Sequence, residues 1–144
     1  MGVKAAEPGY RVVPHTSEVG IWFGGRTWKS FYENAARGLL AVYGIEGLDG
    51  TCGVRARADL RAESPEELLV DWLNEIVYLV STKRWAPTRV VAVAAGRRLL
   101  RARLSGPRLR ARDALGVEVK AATYHRLGVR RRGGLWTATV ILDV

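Results

Sequence analysis

The sequence predicts an α+β domain: a mixed, mostly antiparallel β-sheet packed against two α-helices, in the order ββαβαββββ. Three observations carry this reading. Two stretches place apolar residues at helical spacing behind local start signals. Several short runs alternate apolar and polar residues with the two-residue period of a half-buried strand. Few connections are long enough for the crossovers of a parallel sheet, so hairpins dominate.

Residues 10–13 form a first short strand that stops at Pro14, a residue suited to a strand end. Residues 19–23 form a second, closed by Gly24 and Gly25. Thr27 then offers a helix N-cap. Phe31, Ala35, Leu39 and Val42 recur at helical spacing behind it, Trp28 and Leu40 widen the stripe, and Gly44 ends the helix. In residues 51–60, Cys52, Val54, Ala56 and Ala58 alternate with Arg55, Arg57 and Asp59, a half-exposed strand. Ser64 is the clearest cap in the chain, with Pro65 at the first helical position and Glu67 three residues after the cap. Leu68, Leu69, Trp72, Leu73, Ile76, Leu79 and Val80 follow as a broad apolar face, so this helix covers the sheet with Trp72 and Ile76 buried.

Residues 88–95 and 98–104 make a hairpin around Gly96 and Arg97. Ser105, Gly106 and Pro107 break the chain, and a basic loop at 108–112 leads to the last hairpin. There, residues 117–129 read as one strand, 130–134 (RRRGG) as the turn and 135–144 as the return strand, paired antiparallel. Val119, Ala121, Thr123 and Leu127 alternate with Lys120, Tyr124 and Arg126.

A chain of 144 residues, 48% hydrophobic and 26% charged, is expected to bury one core. Residues 1–9 read as a loose tail and 10–144 as a single domain. No apolar run approaches the length of a membrane span, and the N-terminus lacks the apolar core of a signal peptide. A cytoplasmic location without membrane contact is the expectation. Cys52 is the only cysteine, which excludes an internal disulfide or a cysteine-rich zinc site and leaves a packing residue. The net charge of +9 favours anionic partners, although arginine as the default surface residue explains it equally simply. Arg97, Arg98, Arg101, Arg103, Arg108, Arg110 and Arg112 form a cluster able to track an RNA backbone weakly. It lacks interleaved aromatics, so base stacking is not indicated.

The chain ends on Asp143 and Val144, two adjacent oxygen sources at a strand end, which invites a cation. Glu18 is a distant second carboxylate. From spacing alone, both read more readily as solvated or arginine-paired acids than as ligands. Lys120 is a candidate for a phosphate or acidic partner group, or simply an exposed strand lysine. His15 and His125 are candidates for metal binding, proton transfer or loop orientation. Asp71, Asn74, Glu75 and Tyr78 lie opposite the apolar stripe of the second helix, as a polar docking face or its solvated side. No phosphate loop, dinucleotide fingerprint, Ser-His-Asp order or zinc spacing is present.

Four segments taken in order are informative together: HTSEVGI at 15–21, LLVDWLNEIVYL at 68–79, VKAATYH at 119–125 and WTATVILDV at 136–144. In that order they resemble the archease family across residues 10–144. The resemblance implies an α+β fold and a metal site. Glu18 stands where the family segment H-T-A-D-x-G carries an aspartate ligand, Asp143 matches the second ligand, and Val144 supplies a main-chain oxygen. It implies a divalent cation, calcium first, with magnesium or manganese as alternatives. Lys120 matches a recurring lysine of the family, and His15 and His125 flank the same motifs as contact candidates. The implied function is that of a non-enzymatic protein cofactor of the RtcB-type RNA-splicing ligase. It would promote the ligase's guanylylation and multiple turnover and broaden its nucleotide use, in tRNA splicing and RNA repair, with weak or indirect contact to tRNA. The alternative is an RNA-binding or chaperone-like module, for example for a tRNA methyltransferase.

Overall fold

Both helices begin where a side chain closes the first turn. In the computed structural model, which describes residues 7–14, 18–49, 53–111, 113 and 115–144, helix α1 spans Trp28–Tyr43 and α2 spans Pro65–Ser81. Thr27 accepts the Ser30 N–H on its side-chain oxygen at 3.1 Å, and Ser30 Oγ accepts the Thr27 N–H at 3.2 Å. Ser64 likewise accepts the Glu67 N–H at 3.1 Å. These bonds satisfy donors that a helix start otherwise leaves open. Gly44, at φ +78°, closes α1 in the left-handed conformation. Arg84 plays that part after α2 at φ +58°, where Trp85 N–H reaches back to the Leu79 carbonyl at 3.2 Å.

The strands are β1 (Gly9–Pro14), β2 (Val19–Gly25), β3 (Val54–Arg61), β4 (Arg89–Ala95), β5 (Leu99–Gly106), β6 (Ala121–Ala122), β7 (Arg130–Arg132) and β8 (Leu135–Asp143). They form two sheets. One has the order β1-β2-β8-β6, with β7 also on β8, and the other has the order β3-β5-β4. Among the described residues every pairing is antiparallel. The α+β class stands, with two small sheets where the sequence suggested one mixed sheet.

The helices connect the sheets. Helix α1 packs on β2 and β1 of the first sheet and on β4 of the second, while α2 packs on β6 and β3. Burial therefore extends almost around α1, from Phe31 and Tyr32 to Ala36 and Leu40. Gly38 permits the approach to β2, because a Cβ there would lie 2.6 Å from Ile21 Cγ2. Trp72 and Ile76 are fully buried, as predicted. Trp72 Nε1–H donates to the Tyr32 carbonyl at 3.0 Å, and the Tyr32 hydroxyl donates to the Gly96 carbonyl at 2.8 Å. Burial holds the Tyr32 hydroxyl far above the usual tyrosine pKa.

The last hairpin differs from its sequence reading. Residues 117–129 are not one strand. Only Ala121 and Ala122 pair with β8, after which Leu127 N–H donates to the Tyr124 carbonyl at 3.0 Å and Arg126 turns left-handed at φ +53°. The apolar alternation slips accordingly: Val119 and Ala122 are buried, and Ala121 is half-buried. Arg130, Arg131 and Arg132 belong to β7, not to the turn. The turn is Gly133 and Gly134 alone, at φ +56° and +79°, the positive pair that a two-residue hairpin of the primed type requires. The expected pairing with β8 thus occurs in two short pieces.

Candidate functional site

The register between β2 and β8 decides which residues meet at the free end of the first sheet. Its last pair is Val19 with Leu142. Glu18 immediately precedes Val19 and Asp143 immediately follows Leu142, so the two carboxylates flank this last pair. On the other side of β8, Ala121 lies opposite Asp143, and the Lys120 N–H donates to the Asp143 carbonyl at 2.8 Å. Two segments distant in sequence, the start of β2 and residues 120–121, thus flank the end of β8. Asp143, Val144 and Lys120 are exposed and Glu18 is half-buried.

Among the described residues neither Glu18 nor Asp143 has an ion-pair partner; the one ion pair is Arg101 with Asp59 at 3.5 Å. Two carboxylates brought close without a counter-charge repel, and a cation between them removes that cost. The donor chemistry fits a hard divalent ion: two carboxylates, with main-chain oxygens of the last residues beside them. No group of three His, Cys, Asp or Glu side chains gathers among the described residues.

The other sequence candidates divide. His125 is exposed in the turn after β6, its N–H donating to Thr123 Oγ1 at 3.3 Å. His15 and Cys52 lie outside the described residues. The polar face of α2 proves to be a docking surface for the chain's own segment. Asn74 Oδ1 accepts the Ala122 N–H at 2.8 Å, and Asn74 Nδ2 donates to the Ala122 carbonyl at 3.5 Å. Glu66 Oε1 accepts the Val129 N–H at 3.1 Å. Burial, with Glu67 adding to it, raises the Asp71 carboxyl pKa. Tyr124 is also pushed up, by desolvation and then by Asp71 and Glu67. From the end of α1, Tyr43 holds the start of the segment, its carbonyl accepting the Gly116 N–H at 3.0 Å. Neither Asn74 nor Glu66 was legible as a clamp, because helical periodicity reports which face is polar and not what it touches.

The predicted arginine cluster is dispersed. The Arg97 guanidinium lies 5.9 Å from the ring centroids of both Trp28 and Trp136, which stack at 4.2 Å. Arg101 pairs with Asp59, the Arg110 N–H donates to Asp113 Oδ2 at 2.7 Å, and Arg112 lies outside the described residues. Arg103 shares its face of β5 with Arg101 and lies opposite Arg57 of β3. Among the described residues no helix is long and apolar enough to cross a membrane.

Comparison with known proteins agrees with this architecture. The chain matches the Archease protein family (MTH1598/TM1083) over residues 10–144. It is 30% identical to the protein archease of Archaeoglobus fulgidus, covering 94% of this chain and 98% of that one. It is 29% identical to that of Methanosarcina mazei, covering 94% and 95%. The fold is similar to a crystal structure described as an archease, possible chaperone, from Thermotoga maritima, with a TM-score of 0.67, 24% identity and coverage of 99% and 100%. It is also similar to the solution structure of protein 1598 of Methanobacterium thermoautotrophicum, with a TM-score of 0.68, 23% identity and coverage of 94% and 99%. With the match running from β1 to the last residue, this chain belongs to the archease family.

Proposed function

We propose that the protein is a non-enzymatic cofactor of the RtcB-type RNA-splicing ligase, promoting its guanylylation and multiple turnover in tRNA splicing and RNA repair. Family membership supports the class of role. The observation that carries the site is the β2–β8 register, whose last pair, Val19 with Leu142, is flanked by Glu18 on one strand and Asp143 on the other, beside Val144. In this reading Glu18, Asp143 and a main-chain oxygen of Val144 hold a divalent cation, calcium first. Such an ion supplies charge stabilisation where a triphosphate reacts. The residues of the chain position it: β2 and β8 present the carboxylates, and the Lys120 N–H fixes the Asp143 carbonyl. The exposed Lys120 side chain is left to meet a phosphate or an acidic group of the ligase, with His125 nearby in the turn after β6.

The test is GTP-dependent ligation with limiting ligase, using RNA ends that carry a 2′,3′-cyclic phosphate and a 5′-hydroxyl. Added protein is expected to convert a single turnover into many and to accelerate formation of the guanylylated ligase. Unchanged turnover and unchanged guanylylation would contradict the reading. The Thermotoga maritima structure's description as a possible chaperone favours a second reading, a chaperone-like partner, for example of a tRNA methyltransferase. That reading predicts improved solubility of the partner enzyme with no effect on ligation.

A further inference from the structure

The second sheet turns to solvent a basic surface that shares only Arg103 with the cluster the sequence suggested. On its outer face the register aligns Arg55, Ser105 and Arg89 in one row across β3, β5 and β4. The next row is Arg57, Arg103 and Val91. The four arginines are exposed and line one open groove of about 550 Å³ with Val91, Ser105 and Leu104. Arg57 and Arg103 are directly opposed, a like-charge pair that destabilises a sheet unless an anion intervenes. The acid on this face, Asp59, is one row further on and already pairs with Arg101.

We infer that this groove binds the phosphate backbone of double-helical RNA without reading sequence. Guanidinium forks match phosphate oxygens in bidentate geometry. Strand geometry spaces Arg57 and Arg103 about 4.8 Å apart across the sheet, Arg55 and Arg89 about 9.6 Å apart across it, and Arg55 and Arg57 about 6.7 Å apart along β3, a spread of charge suited to several phosphates. The face has no aromatic side chain, which disfavours single strands held by base stacking. Its apolar groups are small aliphatics such as Val91 and Val93, with none of the aromatic anchors in which interface hot spots are enriched, which disfavours an acidic protein surface. Contacts of this kind position a nucleic acid and carry no base information. The inference does not depend on the cation site, which lies at the end of the other sheet.

The experiment titrates the full chain with a short fluorescent RNA duplex over a range of salt concentrations. Four phosphate contacts give a slope of log K against log salt of about −3.6. Arg57→Gln with Arg103→Gln is expected to bring it to about −1.8. Arg130→Gln with Arg132→Gln, on the other sheet, is expected to leave it unchanged. Arg55→Gln with Arg89→Gln serves as an independent second pair, and circular dichroism checks that each variant is folded. The inference is overturned if the parent shows no salt-dependent duplex binding, if neither groove pair changes the slope, or if the β7 pair changes it equally. Binding of a polyglutamate peptide or a single strand as tight as that of the duplex also overturns it. Ligation measured on the same groove variants reports separately on the proposed cofactor role, so the two failures are distinguishable.

Discussion

Asn74 holds Ala122 as a neighbouring strand would, accepting its N–H at 2.8 Å and facing its carbonyl with Nδ2 at 3.5 Å. Strand β6 has β8 on one side only, so its other edge would present unpaired backbone groups. The second sheet manages an edge in the same way: Glu33 Oε2 accepts the Ala92 N–H of β4 at 2.9 Å, beside a bulge. Helix side chains thus complete two strand edges.

Asn74→Ala leaves the Ala122 groups without partners in a half-buried position, which costs about 1–3 kcal/mol. Denaturant unfolding measures the loss, and hydrogen exchange at the Ala122 amide should rise more than elsewhere. Unchanged exchange at Ala122 would show that the clamp contributes nothing.

Gly38→Ala tests the contact between α1 and β2. Alanine gains about 1 kcal/mol of helix propensity. Its methyl would sit 2.6 Å from Ile21 Cγ2 and 3.1 Å from Tyr10 Cβ, and overpacking typically costs about 1–3 kcal/mol. Net destabilisation is expected by thermal or chemical unfolding, whereas a stabilised variant would mean that the sheet moves aside freely.

Arg84 is the opposite case. It occupies the left-handed position after α2, which glycine adopts without a steric cost. Arg84→Gly should raise stability by about 1 kcal/mol, read as a higher denaturant midpoint at unchanged slope.

Asp71 gives a prediction in pH. Its carboxyl pKa is raised by desolvation and then by Glu67. A raised folded-state value means that its stabilising contribution is complete below the ordinary carboxylate range and lost as pH rises through the raised value. Asp71→Asn should therefore stabilise the protein at neutral pH, and the gain should vanish in acid. A gain that is independent of pH would point to another cause.

What the sequence revealed follows from where each signal resides. The starts of α1 and α2 were legible because Thr27 and Ser64 act on residues three positions away. The Gly133 and Gly134 turn carried its own signal, although the run of arginines before it read as loop and is strand. Residues 117–129 were misread because their path is set from outside by Tyr43, Asn74 and Glu66, which periodicity does not report. Glu18, Asp143 and Val144 are a set through family motifs alone, and the β2–β8 register places Glu18 and Asp143 on either side of its last pair. The groove of Arg55, Arg57, Arg89 and Arg103 was legible only in pieces, Arg103 in the basic cluster and Arg55 and Arg57 on an exposed strand face, since its members come from three separate strands.

The central claim is that Glu18 and Asp143 form a cation site at the end of the first sheet. Calorimetric titration of calcium into the parent protein and into Asp143→Ala tests it most directly. Asp143 is exposed at a strand end, so the substitution should leave the fold intact by circular dichroism. The account predicts saturable binding by the parent, its loss in Asp143→Ala and its retention in Glu18→Asp, which restores the family's ligand. Calcium binding by Asp143→Ala equal to that of the parent would contradict it.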